Sequence, residues 1–220
     1  MWRATAVYPC VMLRRRISRA LTGSPFGVLV SLLLVMWIIE IADTLVFDGW
    51  FQSGGIHPRR LDGLDGILAA PMLHGGWGHI TSNSVPWLVL GGLVAVRGWQ
   101  HWITVTAISL FVGGFGTWLF AGGVNHVGAS GVIFGYFGAL LGAAFFERKP
   151  ATVGPAFVVI MMYSSMLIGL VPQAGISWEG HLFGMLAGIF AARTVAEPPT
   201  PREPYVPEPW EADEPWLQSE

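Results

Sequence analysis

Gly128-Ala129-Ser130-Gly131-Val132-Ile133-Phe134-Gly135-Tyr136-Phe137-Gly138-Ala139-Leu140-Leu141-Gly142-Ala143-Ala144-Phe145-Phe146 runs without a charge. Such a stretch is long enough to cross the hydrocarbon core of a bilayer as a helix. Gly131, Gly135, Gly138 and Gly142 recur at intervals of four, three and four, which draws one side-chain-free stripe along that helix. Stripes of small residues let membrane helices approach closely. About fifty residues later a second apolar run opens on a lone histidine, Gly180-His181-Leu182-Phe183-Gly184-Met185-Leu186-Ala187-Gly188. Its Gly184 and Gly188 offer a matching small face. A candidate nucleophile, Ser130, and a candidate base, His181, therefore stand at the mouths of two apolar segments, where polar side chains are costly and usually functional.

Composition extends the membrane reading to the whole chain. Of 220 residues, 53% are hydrophobic and only 12% charged, with a mean hydropathy of +0.55; a soluble domain does not have this balance. Eleven Trp and 29 Gly fit interfacial anchoring and close helix packing. A formal charge of −2 gives no reason to expect a nucleic-acid partner. Cys10 is the single cysteine, which excludes an intrachain disulfide and a cysteine-based metal site.

With Gly, Pro and charge clusters as punctuation, six apolar runs emerge: 26–47, 80–96, 102–121, 129–146, 153–171 and 181–195. The expected fold is an all-α integral membrane protein with six transmembrane helices. It divides into an N-terminal segment 1–25, a membrane domain 26–195 and a disordered, acidic, Pro-rich tail 196–220. The first run has the length of a full span and no clean small-residue cleavage site after it, so it reads as a helix rather than a signal peptide. Ser24-Pro25 before it reads as an N-cap and a first-turn proline. Arg14, Arg15, Arg16 and Arg19 precede the first run, Arg97 follows the second, Arg148 and Lys149 follow the fourth, and Arg193 ends the sixth. By the positive-inside rule both termini are cytoplasmic. Arg59 and Arg60 fall on the wrong side, in a loop long enough to have structure of its own.

This topology brings the N-terminal ends of runs two, four and six together on the external side. His74, His79 and Asn83 lead into run two, Ser130 starts run four and His181 starts run six. A serine hydroxyl needs a base within hydrogen-bond reach, and His181 is the only histidine in the last two runs. His79 and Asn83, four residues apart, share a helical face. An imidazole N–H and an Asn amide are suitable donors to an oxyanion, each worth roughly 3 to 4 kcal/mol in comparable sites. No acid stands at the right depth to orient His181 except Glu179 at the loop edge, so the reading is a Ser-His dyad. The run Thr81-Ser82-Asn83-Ser84 offers a place for water, and residues 172–180 read as a movable cap.

His74-Gly-Gly-Trp-Gly-His79-Ile-Thr-Ser-Asn83, Gly128-Ala-Ser130-Gly131 and Gly180-His181-x-x-Gly184-x-x-x-Gly188 together resemble the rhomboid intramembrane serine proteases, over about residues 26 to 195. The resemblance implies a six-helix rhomboid-like bundle around a water-filled cavity that opens outward. It implies Ser130 as nucleophile, His181 as general base, and an oxyanion hole of His79, Asn83 and the Ser130 amide. His74 would support that region, and Gly184 and Gly188 would draw run six against run four. Two features depart from the family pattern: Phe134 stands where many members carry a Tyr stacked on the histidine, and the Trp-Arg pair of the first external loop is absent.

Other polar residues read as structural. Glu40 and Asp43 are expected to hydrogen-bond or snorkel; His57, His101 and His126 are expected to be solvated; Trp99 and Trp102 fit an interface belt. The expected function is an endopeptidase that cuts single-span membrane proteins in or near their transmembrane segments, with no cofactor and no metal. Its partners would be those substrates and the lipid bilayer. The alternatives are a catalytically silent scaffold that binds transmembrane helices, and a transporter or metal-dependent hydrolase using His74, His79 and His181. No His-Glu-x-x-His motif and no inverted repeat favours the latter. Eleven Arg against one Lys, with abundant Ala, Gly and Val, point to a GC-rich bacterial genome and hence to a plasma membrane.

Overall fold

The structure, a computed structural model, describes residues 23–123 and 125–197. Cys10, the arginines at 14–16 and 19, and the tail from residue 198, with Trp210 and Trp216, lie outside the described residues. Among those described, six long helical rods run through the molecule and no strand forms. They are α1 (Pro25–Val46), α2 (Trp77–Ala95), α3 (Trp99–Phe120), α4 (Ser130–Glu147), α5 (Pro150–Leu170) and α6 (Trp178–Val195). Four of them, α1, α3, α4 and α5, are long and apolar enough to cross a membrane. Of the remaining two, α2 carries His79 and Asn83 and α6 carries His181.

Four helix starts differ from the sequence expectation in the same way. α2, α3, α5 and α6 each begin three residues earlier than their apolar runs. Their first turns hold Gly, His, Gln, Pro or Glu, which lower hydropathy without preventing helix formation. Gly76 and Gly98, at φ of +107° and +97°, turn the chain into α2 and α3 in a conformation that residues with a Cβ rarely adopt. Pro150 supplies a first-turn proline to α5. At α1 the Ser24 hydroxyl accepts the Gly27 amide at 3.2 Å. α3 also contains a π turn at Ser109–Gly113, which apolar periodicity does not announce.

α4 is the central rod, with most of its residues buried. Around it Leu29, Ile80, Trp87, Leu90, Val94, Val105, Ile133, Tyr136 and Phe137 form one core. Polar groups inside that core bond across helices: the Trp87 indole donates to the Leu29 carbonyl at 2.9 Å, and Tyr136 and Thr106 share a hydroxyl bond at 3.0 Å. Trp102 belongs to this core and is 5% exposed; it is not the interface residue that its position near a run end suggested. The outer faces expose Leu34, Ile38, Phe115, Phe157, Met161 and Phe190, a spread of large apolar side chains that suits lipid rather than water.

α4 and α6 touch backbone to backbone. A Cβ added at Gly184 would run into the Gly131 carbonyl, one at Gly188 into the Gly135 carbonyl, and one at Gly138 into the Met185 carbonyl. At the far end of the bundle Arg97 and the buried Glu147 pair at 2.5 Å and tie α2 to α4.

The 47–76 loop is built of short helical turns, and its arginine has a physical role there. Arg59 donates its guanidinium to the Ala121 carbonyl at 2.6 Å and its amide to the Trp118 carbonyl at 2.9 Å. It thereby satisfies carbonyls left over at the C-terminus of α3. Arg60 pairs with Asp62 at the surface. Glu40 and Asp43 are buried rather than snorkelling; Asp43 accepts the Phe51 amide at 2.8 Å and so anchors the start of the loop.

Candidate active site

Gly128 determines how Ser130 is presented. Its φ of +112° favours glycine, and its Cα lies so close to the His79 ring that an added Cβ would fall 2.6 Å from Nε2. The Gly128 amide donates to the Ala70 carbonyl at 2.8 Å. The next amide, that of Ala129, points at His74 Nε2 at 3.5 Å. Ser130 then opens α4, where the first backbone amides lack helical acceptors and the helix dipole is positive.

His181 lies one turn into α6, its amide donating to the Ser177 carbonyl at 3.1 Å. Its two ring nitrogens face different partners. Nδ1 stands 2.8 Å from the Gly169 carbonyl and Nε2 stands 2.9 Å from Ser130 Oγ. A carbonyl only accepts, so Nδ1 carries the proton and Nε2 is free to accept from the serine hydroxyl. The Phe134 ring stacks on the imidazole, with centroids 4.2 Å apart and planes 9° from parallel. Gly169 is also sterically required: an added Cβ would stand 2.9 Å from His181 Nδ1.

His79 Nδ1 accepts the Gly75 amide at 3.2 Å, which leaves the proton on Nε2, the nitrogen facing Gly128. Asn83 Nδ2 is buried and has no hydrogen-bond partner among the described residues. A buried unpartnered donor is unusual enough to need a reason. Both residues line a cavity of about 890 Å³ together with Ser130, Phe134, Gly169 and His181, and residues 173–178 cover one side of it.

Ser130, His181, His79, Asn83 and Phe134 thus meet in one cavity, with Gly128 beneath them. Gly131, Gly184 and Gly188 lie at the α4–α6 crossing. His74 does not line the cavity; it is buried behind His79, ring centroids 5.1 Å apart and edge-on. Burial, with His79 as a second cause, pushes its pKa down to about 4. Of the polar run in α2, Ser82 and Asn83 face the cavity, whereas Ser84 turns to the Trp37 indole at 3.1 Å. Glu179 turns away from His181 and accepts the Gly122 amide at 3.0 Å.

Two groups in contact with the candidate site carried no signal in sequence reasoning. One is the Gly169 carbonyl, a main-chain acceptor that no residue type advertises. The other is His126, expected to be solvated but 4% exposed and bonded to Ser177 at 2.6 Å. It is buried because the loop before Ser130 is pressed between the 47–76 loop and the start of α6; His57 and His101 are half-buried.

A helical bundle with a serine and a histidine brought together at two helix starts defines a class, and comparison with known proteins agrees with it. The Rhomboid domain family matches residues 63–198, and the chain belongs to the rhomboid family. It is similar to an uncharacterised protein of Mycobacterium tuberculosis, 36% identical over 180 residues, 77% of this chain and 75% of that protein. A Mycobacterium leprae protein, also uncharacterised, is 34% identical over 77% of this chain and 71% of its own length. The rhomboid protease GluP of Bacillus subtilis is 29% identical over 135 residues, 60% of this chain and 26% of GluP. Family and apolar helices together make the chain a multi-pass integral membrane protein of an intramembrane protease family.

Proposed function

We propose that the protein is an intramembrane serine endopeptidase that cuts single-span membrane proteins in or near their transmembrane segments. In this reading α1 to α6 all span the bilayer, a plasma membrane, with both termini cytoplasmic and the cavity opening outward. The observation that carries it is the 2.9 Å contact between Ser130 Oγ and His181 Nε2, with the opposite ring nitrogen held by a carbonyl.

The chemistry follows from those contacts. His181 Nε2 takes the hydroxyl proton as Ser130 Oγ attacks the scissile carbonyl carbon. The carbonyl π electrons move to oxygen, and the oxyanion lies toward Asn83 Nδ2, His79 Nε2–H and the Ser130 amide. Fixed donors facing developing charge are the largest single contribution in such sites. Collapse of the intermediate breaks the C–N bond, and the proton on Nε2 goes to the leaving amine. Water then repeats the sequence on the acyl-serine: it loses a proton to His181, attacks, and releases a carboxylic acid as Ser130 regains its hydrogen. Gly169 and Phe134 hold the imidazole in one tautomer and one plane through both halves.

The test is cleavage of a single-span reporter by purified wild type and Ser130→Ala, in detergent with and without a chelator. Cleavage by wild type alone, unaffected by chelator, supports the proposal. Cleavage lost to chelator would favour metal-dependent hydrolysis. A reporter captured by the protein yet left uncut by it would favour a helix-binding scaffold.

A further inference from the structure

His126 and Ser177 each stand four residues before a member of the dyad: His126 precedes Ser130, and Ser177 precedes His181. They also meet. His126 Nδ1 lies 2.6 Å from Ser177 Oγ, and its Nε2 faces the Gly122 carbonyl at 3.3 Å. The carbonyl can only accept, so Nε2 carries the proton and Nδ1 accepts the Ser177 hydroxyl. Burial lowers the pKa of His126, which keeps this neutral pattern in place.

The backbone of His126 is itself fixed. Its amide and carbonyl exchange bonds with Ile56 at 3.0 and 2.9 Å, and the neighbouring Asn125 side chain donates to the Gln52 carbonyl. The His126 ring therefore projects from a braced strip of chain toward the first turn of α6. Ser177 is the last residue of the exposed loop 171–177 and the cap position of α6. Its hydroxyl caps no α6 amide and is spent on His126. Its carbonyl accepts the amide of His181. The other foot of that loop, Gly169, holds His181 Nδ1. Any movement of residues 170–176 would pull on His181 from both sides unless Ser177 is anchored elsewhere.

Resting on the reading of Ser130 and His181 as nucleophile and base, we propose that His126 is a positioning residue for the dyad. By holding Ser177 it fixes the first turn of α6, and with it His181, against the loop that delivers Ser130, while the covering loop stays free to move. It touches neither reacting atom and acts through Ser177. A second tie between the same two segments, Gly122 to Glu179, limits the loss when His126 is removed.

The experiment compares full-length wild type, His126→Ala, His126→Asn, Ser177→Ala and the double alanine variant in detergent. It reads kcat and KM on a single-span reporter, and the rate at which a fluorophosphonate modifies Ser130. His126→Ala and Ser177→Ala should each lower kcat and the modification rate about tenfold, less than the roughly hundredfold cost of a 1 Å misplacement. KM should stay within about twofold. The double variant should be no worse than either single one, as for two residues acting through one contact. His126→Asn, whose amide reaches the position of Nδ1, should keep most of the wild-type rate. Wild-type kcat in Ser177→Ala, losses that multiply in the double variant, or a change confined to KM would overturn the proposal. If His126→Ala does not fold, Ser177→Ala alone decides. A wild type inactive in both assays would instead count against the dyad reading itself.

Discussion

Gly184 rests its Cα against the carbonyl of Gly131, one residue beyond the candidate nucleophile, so the helix that carries His181 and the helix that carries Ser130 meet with no side chain between them. The 2.9 Å spacing of Ser130 Oγ and His181 Nε2 depends on this contact. Gly184→Val would force the backbones apart, and overpacking of this kind costs about 1–3 kcal/mol or more. The expected result is cleavage below about 1% of wild type, as a 1 Å displacement of reacting groups already costs about a hundredfold, with a lower Tm. Leu186→Val, on the exposed face of the same helix, should leave both unchanged. Wild-type proteolysis by Gly184→Val would contradict the packing argument.

Asn83 offers a separation of catalysis from stability. Its Nδ2 has no partner in the resting site, so Asn83→Ala breaks no hydrogen bond of that amide and leaves Tm nearly unchanged. In the transition state the lost donor should lower kcat about 10²- to 10³-fold with little change in KM. A large fall in Tm at unaltered kcat would assign Asn83 to the scaffold.

Phe134 supplies a stacking face without a hydroxyl. Phe134→Tyr should keep a rate within about threefold of wild type, because the stack survives. Phe134→Ala removes an aromatic contact worth about 0.5–1.5 kcal/mol and should lower kcat about tenfold. Equal activity in all three proteins would show that the ring does not hold His181.

His74 predicts how stability responds to acid. Its pKa is about 4 in the folded protein against about 6.5 in an unfolded chain. Between those values the unfolded chain binds the proton and the folded one does not, so stability is fully present above pH about 6.5 and falls as the pH drops toward 4. His74→Gln, with an amide facing Ala129 but no titration, should flatten the fall of Tm in detergent over that window. An unaltered slope would remove His74 from the account.

The placement of these residues also shows how far the candidate site was legible in the sequence. Ser130, His181, His79 and Asn83 stood out because polar groups at the ends of apolar runs are few, and helical spacing alone puts His79 and Asn83 on one face. The glycines at 131, 184 and 188 were legible as stripes, since small residues in membrane helices have a packing meaning by themselves. The Gly169 carbonyl was not legible: a main-chain acceptor leaves no trace in residue type, and its choice depends on where α5 ends in space. His126 and Trp102 were misread for a related reason. Nearness to the end of a run says nothing about which side faces the core, and the contacts that bury them come from residues far away in the chain. The starts of α2, α3, α5 and α6 were read late because the Gly, Pro and polar residues of a first turn weaken hydropathy but not helicity.

The most direct test of the central claim, that His181 activates Ser130, is intact-mass and peptide mapping of the purified protein after reaction with a fluorophosphonate. The account predicts one adduct, on Ser130, formed by wild type and lost in both Ser130→Ala and His181→Ala. No adduct on Ser130, or modification of Ser130 at the wild-type rate in His181→Ala, would contradict it.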